Sequence, residues 1–133
     1  MPEQAGIEFL SAEWFAAMAL ALERVEPAGG EAVVLGQIVT GVPSAAGGDV
    51  CYAISLGGNG PGSVTVGSLD SADVVLVTAY ADARAMATGA ASAASLIAAG
   101  RVKIRGDAAR LVAAAALVEA AGAAMGDVHR IVT

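Results

Sequence analysis

The side chains able to do chemistry are few in this sequence, and their spacing does not suit catalysis. His129 is the single histidine. A catalytic histidine needs a nucleophile on one side and an orienting acid on the other. No motif around His129 supplies either, so it reads as a surface residue. Cys51 alternates with Ala53 and Ser55 and reads as a small buried residue, because a reactive thiol wants an electropositive setting. As the single cysteine it forms no internal disulfide, which fits an intracellular chain. Asp70 with Asp73, and Glu23 with Glu26, are paired carboxylates without His or Cys at metal-ligand spacing; turn capping and solvated surface account for them. The run GGNGPG has only the composition of a phosphate loop. Its G-x-G-x-x-G register fails at Ser63, no helix follows, and no Lys-Ser/Thr completes it. There is no G-x-S-x-G either. The residues predict no catalytic group, no metal and no cofactor, and so a binding protein rather than an enzyme.

Charge narrows the partners. The net charge is −6 and only seven residues are Lys or Arg. Too few cations are present to neutralise a row of phosphates, which excludes nucleic acid and allows at most transient membrane contact. The basic residues that cluster are Arg101, Lys103 and Arg105, alternating with Val102 and Ile104. This stripe reads first as an edge strand protected by charge. The alternative is a docking point for an acidic partner or for a ligand's anionic head group. The first basic residue is Arg24, so no signal peptide is expected. The apolar run 108–125 is interrupted by Arg110 and Glu119 and makes a poor membrane span. A cytoplasmic protein is expected.

The elements that position these residues follow from periodicity. The chain of 133 residues fits one domain, 1–133, with a core of about 9–125. It is 56% hydrophobic yet 4% aromatic, so Ala and Val supply most of the bulk. Small side chains either let helices pack very close or leave room for something else. Ser11 caps a first helix whose stripe is Trp14, Phe15, Met18, Leu22 and Val25. Strands are expected at 32–40, 50–56, 64–66 and 74–79, the last nearly continuous in apolar residues and therefore central. Asn59-Gly60 suits the turn between the second and third. Asp82 is expected to cap a helix over 83–88, and residues 92–99 form another, closed by Gly100. A strand over 101–105 leads to Asp107, the cap of a long last helix whose face is Leu111, Ala114, Val118, Ala121 and Met125. The order predicts an α+β fold, a five-stranded mainly antiparallel sheet with helices on one face.

The stretch from Ala85, AMATGAASAASLIAAGRVKIRGD, resembles the SCP2 sterol-carrier domain family, whose pattern G-[RK]-[LV]-K-[IV]-x-G-[DN] is met here by GRVKIRGD. The preceding SADVVLVTAYAD and the opening FLSAEWFAAM and QIVTGVP resemble small free-standing bacterial members. The resemblance covers about Phe9 to Met125. It implies an apolar cavity between sheet and helices that accepts sterols, fatty acids or acyl-CoA, with no chemistry at the site. The sequence ends Ile131-Val132-Thr133, without a peroxisomal address, so the eukaryotic carrier's location does not transfer. Burying an acyl chain gains ~0.8 kcal/mol per CH₂, enough to hold a long chain without a charged anchor. The candidate lining residues are Trp14, Phe15, Met18 and Leu22 from the first helix, and Met86, Leu96 and Ile97 from the middle pair. Leu111, Val118 and Met125 come from the last helix. An acceptor enzyme and a second copy of the chain are the macromolecular partners considered. Two other readings stay open: an interaction module with a filled cavity, and an enzyme acting on the bound molecule. The last would need a polar group in the pocket, and Cys51, Tyr52, Ser55, Thr65 and Thr78 are the available candidates.

Overall fold

The computed structural model describes residues 8–24, 32–43, 48–57 and 62–113. Its first element is α1 (Ala12–Leu22), entered where the Ser11 hydroxyl accepts from the Trp14 amide at 3.1 Å, with Glu13 in the first turn. This satisfies one of the amide donors that a helix start leaves free. Four β-rich segments follow as β1 (Val33–Thr40), β2 (Asp49–Leu56), β3 (Ser63–Val66) and β4 (Val74–Ala79). Then come α2 (Tyr80–Ala87), α3 (Ala93–Ala98), β5 (Val102–Gly106) and α4 (Ala108–Ala113). The second half of the expected last helix, with Ala114, Val118, Ala121 and Met125, lies outside the described residues, as do Asn59-Gly60 and His129.

All five strands form one sheet in the order β3-β2-β1-β4-β5. Neighbours are antiparallel except β1 and β4, which run parallel. The chain spends β2 and β3 on one side of β1 and returns on the other, so β4 enters in the same direction as β1. Charge marks one edge of the sheet, where Lys103 and Arg105 stand exposed on β5. A charged edge discourages pairing with a further strand.

Register and alternation divide the sheet into two faces. Val33, Leu35, half-buried Gln37 and Val39 of β1 line up with Val50, Tyr52, Ile54 and Leu56 of β2 and with Val74, Leu76 and Thr78 of β4. Helices cover this face. Val34, Ile38, Cys51, Ala53, Ser55, Val75 and Val77 point to the other side, together with Lys103 and Arg105 of β5. Close packing on that side explains Gly36: a Cβ there would come within 3.0 Å of Leu69 and Val75 and 3.1 Å of Ala72.

One expected cap is corrected. α2 begins at Tyr80, directly from β4, and Ala79 at its entry offers no side-chain cap. Asp82 sits inside the first turn and instead holds the Arg101 guanidinium Nε with both carboxylate oxygens at 3.0 Å. A partner nineteen residues away outweighs the local backbone donors, and the pair pins α2 to the entry of β5. Asp107 caps as expected, accepting from the Arg110 amide at 3.3 Å, while Ser92, expected as the first helical residue, stands just outside α3 as its cap and accepts from the Ser95 amide at 3.1 Å.

Asp73 knits the opposite end of the sheet. Its carboxylate accepts from the Val34 amide at 2.8 Å and lies 3.5 Å from the Arg110 guanidinium. Arg110 also donates to the Ala32 carbonyl. One short side chain thus ties β1, β4 and α4 together. Asp73→Ala leaves the Val34 N–H without its partner and is expected to lower stability by about 1–3 kcal/mol in chemical unfolding. Asp73→Asn keeps the acceptor and loses only a half-exposed ion pair, so its cost is expected to stay below about 1 kcal/mol. Equal costs for the two variants would contradict this assignment.

Candidate functional site

The helix-covered face carries two apolar clusters. The larger gathers Phe9, Trp14, Met18 and Leu22 with Val33, Leu35, Val39, Tyr52, Leu56 and Val74 of the sheet. The smaller gathers Leu76, Leu96 and Val102, with Met86 and Ile97 packed against it. Leu111 of α4 is half-buried and packs against both. The candidate lining residues therefore sort into two walls and a joint. Trp14, Met18 and Leu22, with Phe15 at their margin, belong to the first wall. Leu96, with Met86 and Ile97, belongs to the second. Val118 and Met125 lie outside the described residues.

The first wall is tightly filled. The chain holds two phenylalanines, two tyrosines and one tryptophan, and all of them join in one aromatic cluster. Trp14 meets Phe9 at 4.9 Å between ring centroids, Phe15 at 5.0 Å and Tyr52 at 5.8 Å, each edge to face. Phe9 also reaches Tyr80 at 5.8 Å. Edge-to-face pairs place a positive ring edge on a negative ring face and add about 0.5–1.5 kcal/mol each beyond area burial. Helical periodicity could not find Phe9 and Tyr80, which lie outside the α1 stripe. Their only signal is that aromatic residues are so scarce here.

Polar groups on this face are few, and half-buried Gln37, between Tyr52 and Leu76, is one of them. Of the five that could serve chemistry, Cys51, Ser55 and Thr65 belong to the opposite face, and only Tyr52 and Thr78 turn toward the helices. Tyr52 is buried, and loss of water pushes its phenol well above its ordinary value of 10.0, so it stays neutral. A phenol protonated in the fold but ionised in the unfolded chain favours unfolding: with its folded value raised, stability is fully present below about pH 10 and is lost as pH rises beyond it. Wild type is therefore expected to lose stability more steeply than Tyr52→Phe between about pH 10 and 12 in thermal melts. Parallel pH profiles would contradict it.

Thr78 is 1% exposed, the one buried residue among those described that is neither apolar nor aromatic. Its Oγ1 has no hydrogen-bond partner, and neither has the Nε1 of Trp14, itself 2% exposed. An unmet buried donor costs about 1–3 kcal/mol. Among the described residues no charged side chain is buried, and no group of His, Cys, Asp and Glu could hold a metal. No helix of those residues is long and apolar enough to cross a membrane. The basic stripe does not reach this region. Lys103 and Arg105 point from the other face, and Arg101 is occupied by Asp82.

What the arrangement offers is a largely apolar, uncharged sheet face packed against its helices. Solved structures share that plan. The conserved hypothetical protein TT1886 from Thermus thermophilus superposes with a TM-score of 0.71 at 19% identity, over 94% of this chain and 92% of its own. A sterol carrier protein 2 matches with a TM-score of 0.66 at 20% identity, over 95% of this chain and 100% of its own. Palmitated SCP2L2 from Aedes aegypti matches with a TM-score of 0.59 at 18% identity, over 84% and 95%. These likenesses establish the fold. No curated protein sequence matches the chain. The family model of the SCP-2 sterol transfer family matches residues 44–119, which takes in four of the five strands and the helices between them. With more than half of its length under that model, and its fold shared with a solved sterol carrier protein, this chain belongs to the SCP-2 sterol transfer family.

Proposed function

We propose that the protein binds and carries an apolar small molecule between its sheet and helices, without chemically altering it. The cargo class is a sterol, a fatty acid, an acyl-CoA or a related hydrophobic metabolite. The observation that carries this reading is the family match over residues 44–119, on a fold shared with a solved sterol carrier protein and an uncharged covered sheet face. The second wall, with flexible Met86, suits a surface that adapts to several shapes. Apolar contact supplies the affinity, at ~0.8 kcal/mol per CH₂ transferred from water. No group described near this space offers a nucleophile beside a base, which supports carriage over turnover. An acceptor enzyme, or a second copy of the chain, would then receive or shield the cargo in the cytoplasm.

The interaction-module reading draws on a different observation, the filled aromatic wall. If both walls were that full, the fold would serve as a docking scaffold. Titration with a fluorescent long-chain acyl probe separates the two. Carriage predicts saturable binding at one probe per chain, reversed by adding unlabelled sterol or fatty acid. A folded protein that leaves the probe free at every concentration tested would favour the scaffold instead.

A further inference from the structure

We infer that Thr78 is a specificity-determining residue, whose hydroxyl receives the polar end of the cargo and selects an uncharged group there. This rests on the carriage reading and adds what the cargo must look like. Thr78 stands in a run of apolar residues, VVLVTA, on the covered side of β4 between Val39 of β1 and Val102 of β5. Valine would fill the same volume without burying a hydroxyl, and the flanking positions show that the strand accepts valine. Instead the position holds a group with one donor and two acceptor sites, 1% exposed and unpartnered. The second unpartnered donor, Trp14 Nε1, belongs to the aromatic cluster. Phe9 links Trp14 to Tyr80, which follows Thr78 by two residues. The opposite end of β4 is closed by the Asp73–Arg110 ion pair.

The charge of that head follows from the surroundings. No charged side chain among the described residues is buried; of the two cations flanking Val102, Arg101 is 58% exposed and already held by Asp82, and Lys103 belongs to the other face. An ionised carboxylate brought here would lose its water and find only neutral donors. A hydroxyl loses less on entering and is fully met by a threonine that both donates and accepts. The cargo is thus a long apolar body ending in a neutral hydroxyl or carbonyl.

Hexadecanol and palmitate have the same chain length and differ in this one respect. Their affinities are measured at neutral pH by displacement of the fluorescent acyl probe from wild type, Thr78→Val and Thr78→Ser. Wild type is expected to favour hexadecanol by about tenfold. Thr78→Val is expected to weaken hexadecanol about fivefold, leave palmitate unchanged and melt no lower than wild type without ligand. Thr78→Ser, which restores a hydroxyl, is expected to recover most of the preference. Equal affinities in wild type, or a valine variant that shifts both ligands alike, would overturn the assignment and leave carriage standing. Failure of wild type to bind either ligand would remove carriage itself, and this inference with it.

Discussion

Trp14→Ala is expected to lower the unfolding free energy by about 3–5 kcal/mol, among the largest effects available to a single substitution in this chain. Trp14 is 2% exposed, and its ring meets Phe9 before α1, Phe15 beside it on α1 and Tyr52 on the sheet. Alanine removes these edge contacts and leaves a hole that the sheet side, fixed by its ladder, closes poorly. Domains of this size have about 5–15 kcal/mol in hand, so the loss is a large share of the total. Trp14→Phe keeps an aromatic body and also removes the unpartnered Nε1–H, so its cost is expected to stay under about 1.5 kcal/mol. Urea unfolding followed by circular dichroism reads both. A cost for Trp14→Ala near that of a surface change would show that the aromatic cluster does not hold α1 to the sheet. If cargo is carried, this wall is mostly structure, so probe affinity per folded molecule is expected to fall less than stability does.

The second large effect is expected at Gly106. This residue closes β5 opposite Val74 with φ at +91°, a conformation L side chains rarely adopt. A Cβ there would sit 2.9 Å from the Asp73 carbonyl oxygen and 3.4 Å from the Val74 Cα, both backbone atoms of the paired segment. Backbone cannot swing aside as a flexible side chain would. Gly106→Ala is therefore expected to cost about 2–4 kcal/mol, the positive φ and the clash adding together. At about 4 °C per kcal/mol, the melting temperature falls by roughly 8–16 °C. The damage is also directional. Gly106 leads through Asp107 into α4, and α4 places Leu111 where the two walls meet. Probe affinity is expected to drop along with stability, in contrast to Trp14→Ala. A Gly106→Ala protein that melts within about 2 °C of wild type would contradict the strain argument.

Much of this architecture is legible in the sequence because strands and turns leave local signals. The alternation of Val50, Tyr52, Ile54 and Leu56 marks β2 and its buried face, and the unbroken 74–79 run marks β4 as an inner strand. Ser11 and Asp107 behave as the expected caps because their partners lie within the next turn. Asp82 does not, since Arg101 draws it away, and no local pattern announces a pairing across nineteen residues. The same limit applies to the candidate site. Helical spacing shows that Trp14, Met18, Met86 and Leu96 turn inward, but it cannot tell which share a wall. That division comes from strand order, which places β5 and β2 on opposite sides of the β1–β4 pair. Thr78 is visible in the sequence as the lone polar residue in its run, and only the register shows that it faces inward while Ser55 and Cys51 face out.

Comparing native and denaturing mass spectra of the purified protein tests the central claim, carriage of an apolar molecule, most directly. Carriage predicts extra mass in the native spectrum that is lost on denaturation and matches an apolar metabolite, recovered at one per chain. A native spectrum showing the polypeptide mass alone, even after incubation with a mixture of sterols, fatty alcohols and fatty acids, would contradict it.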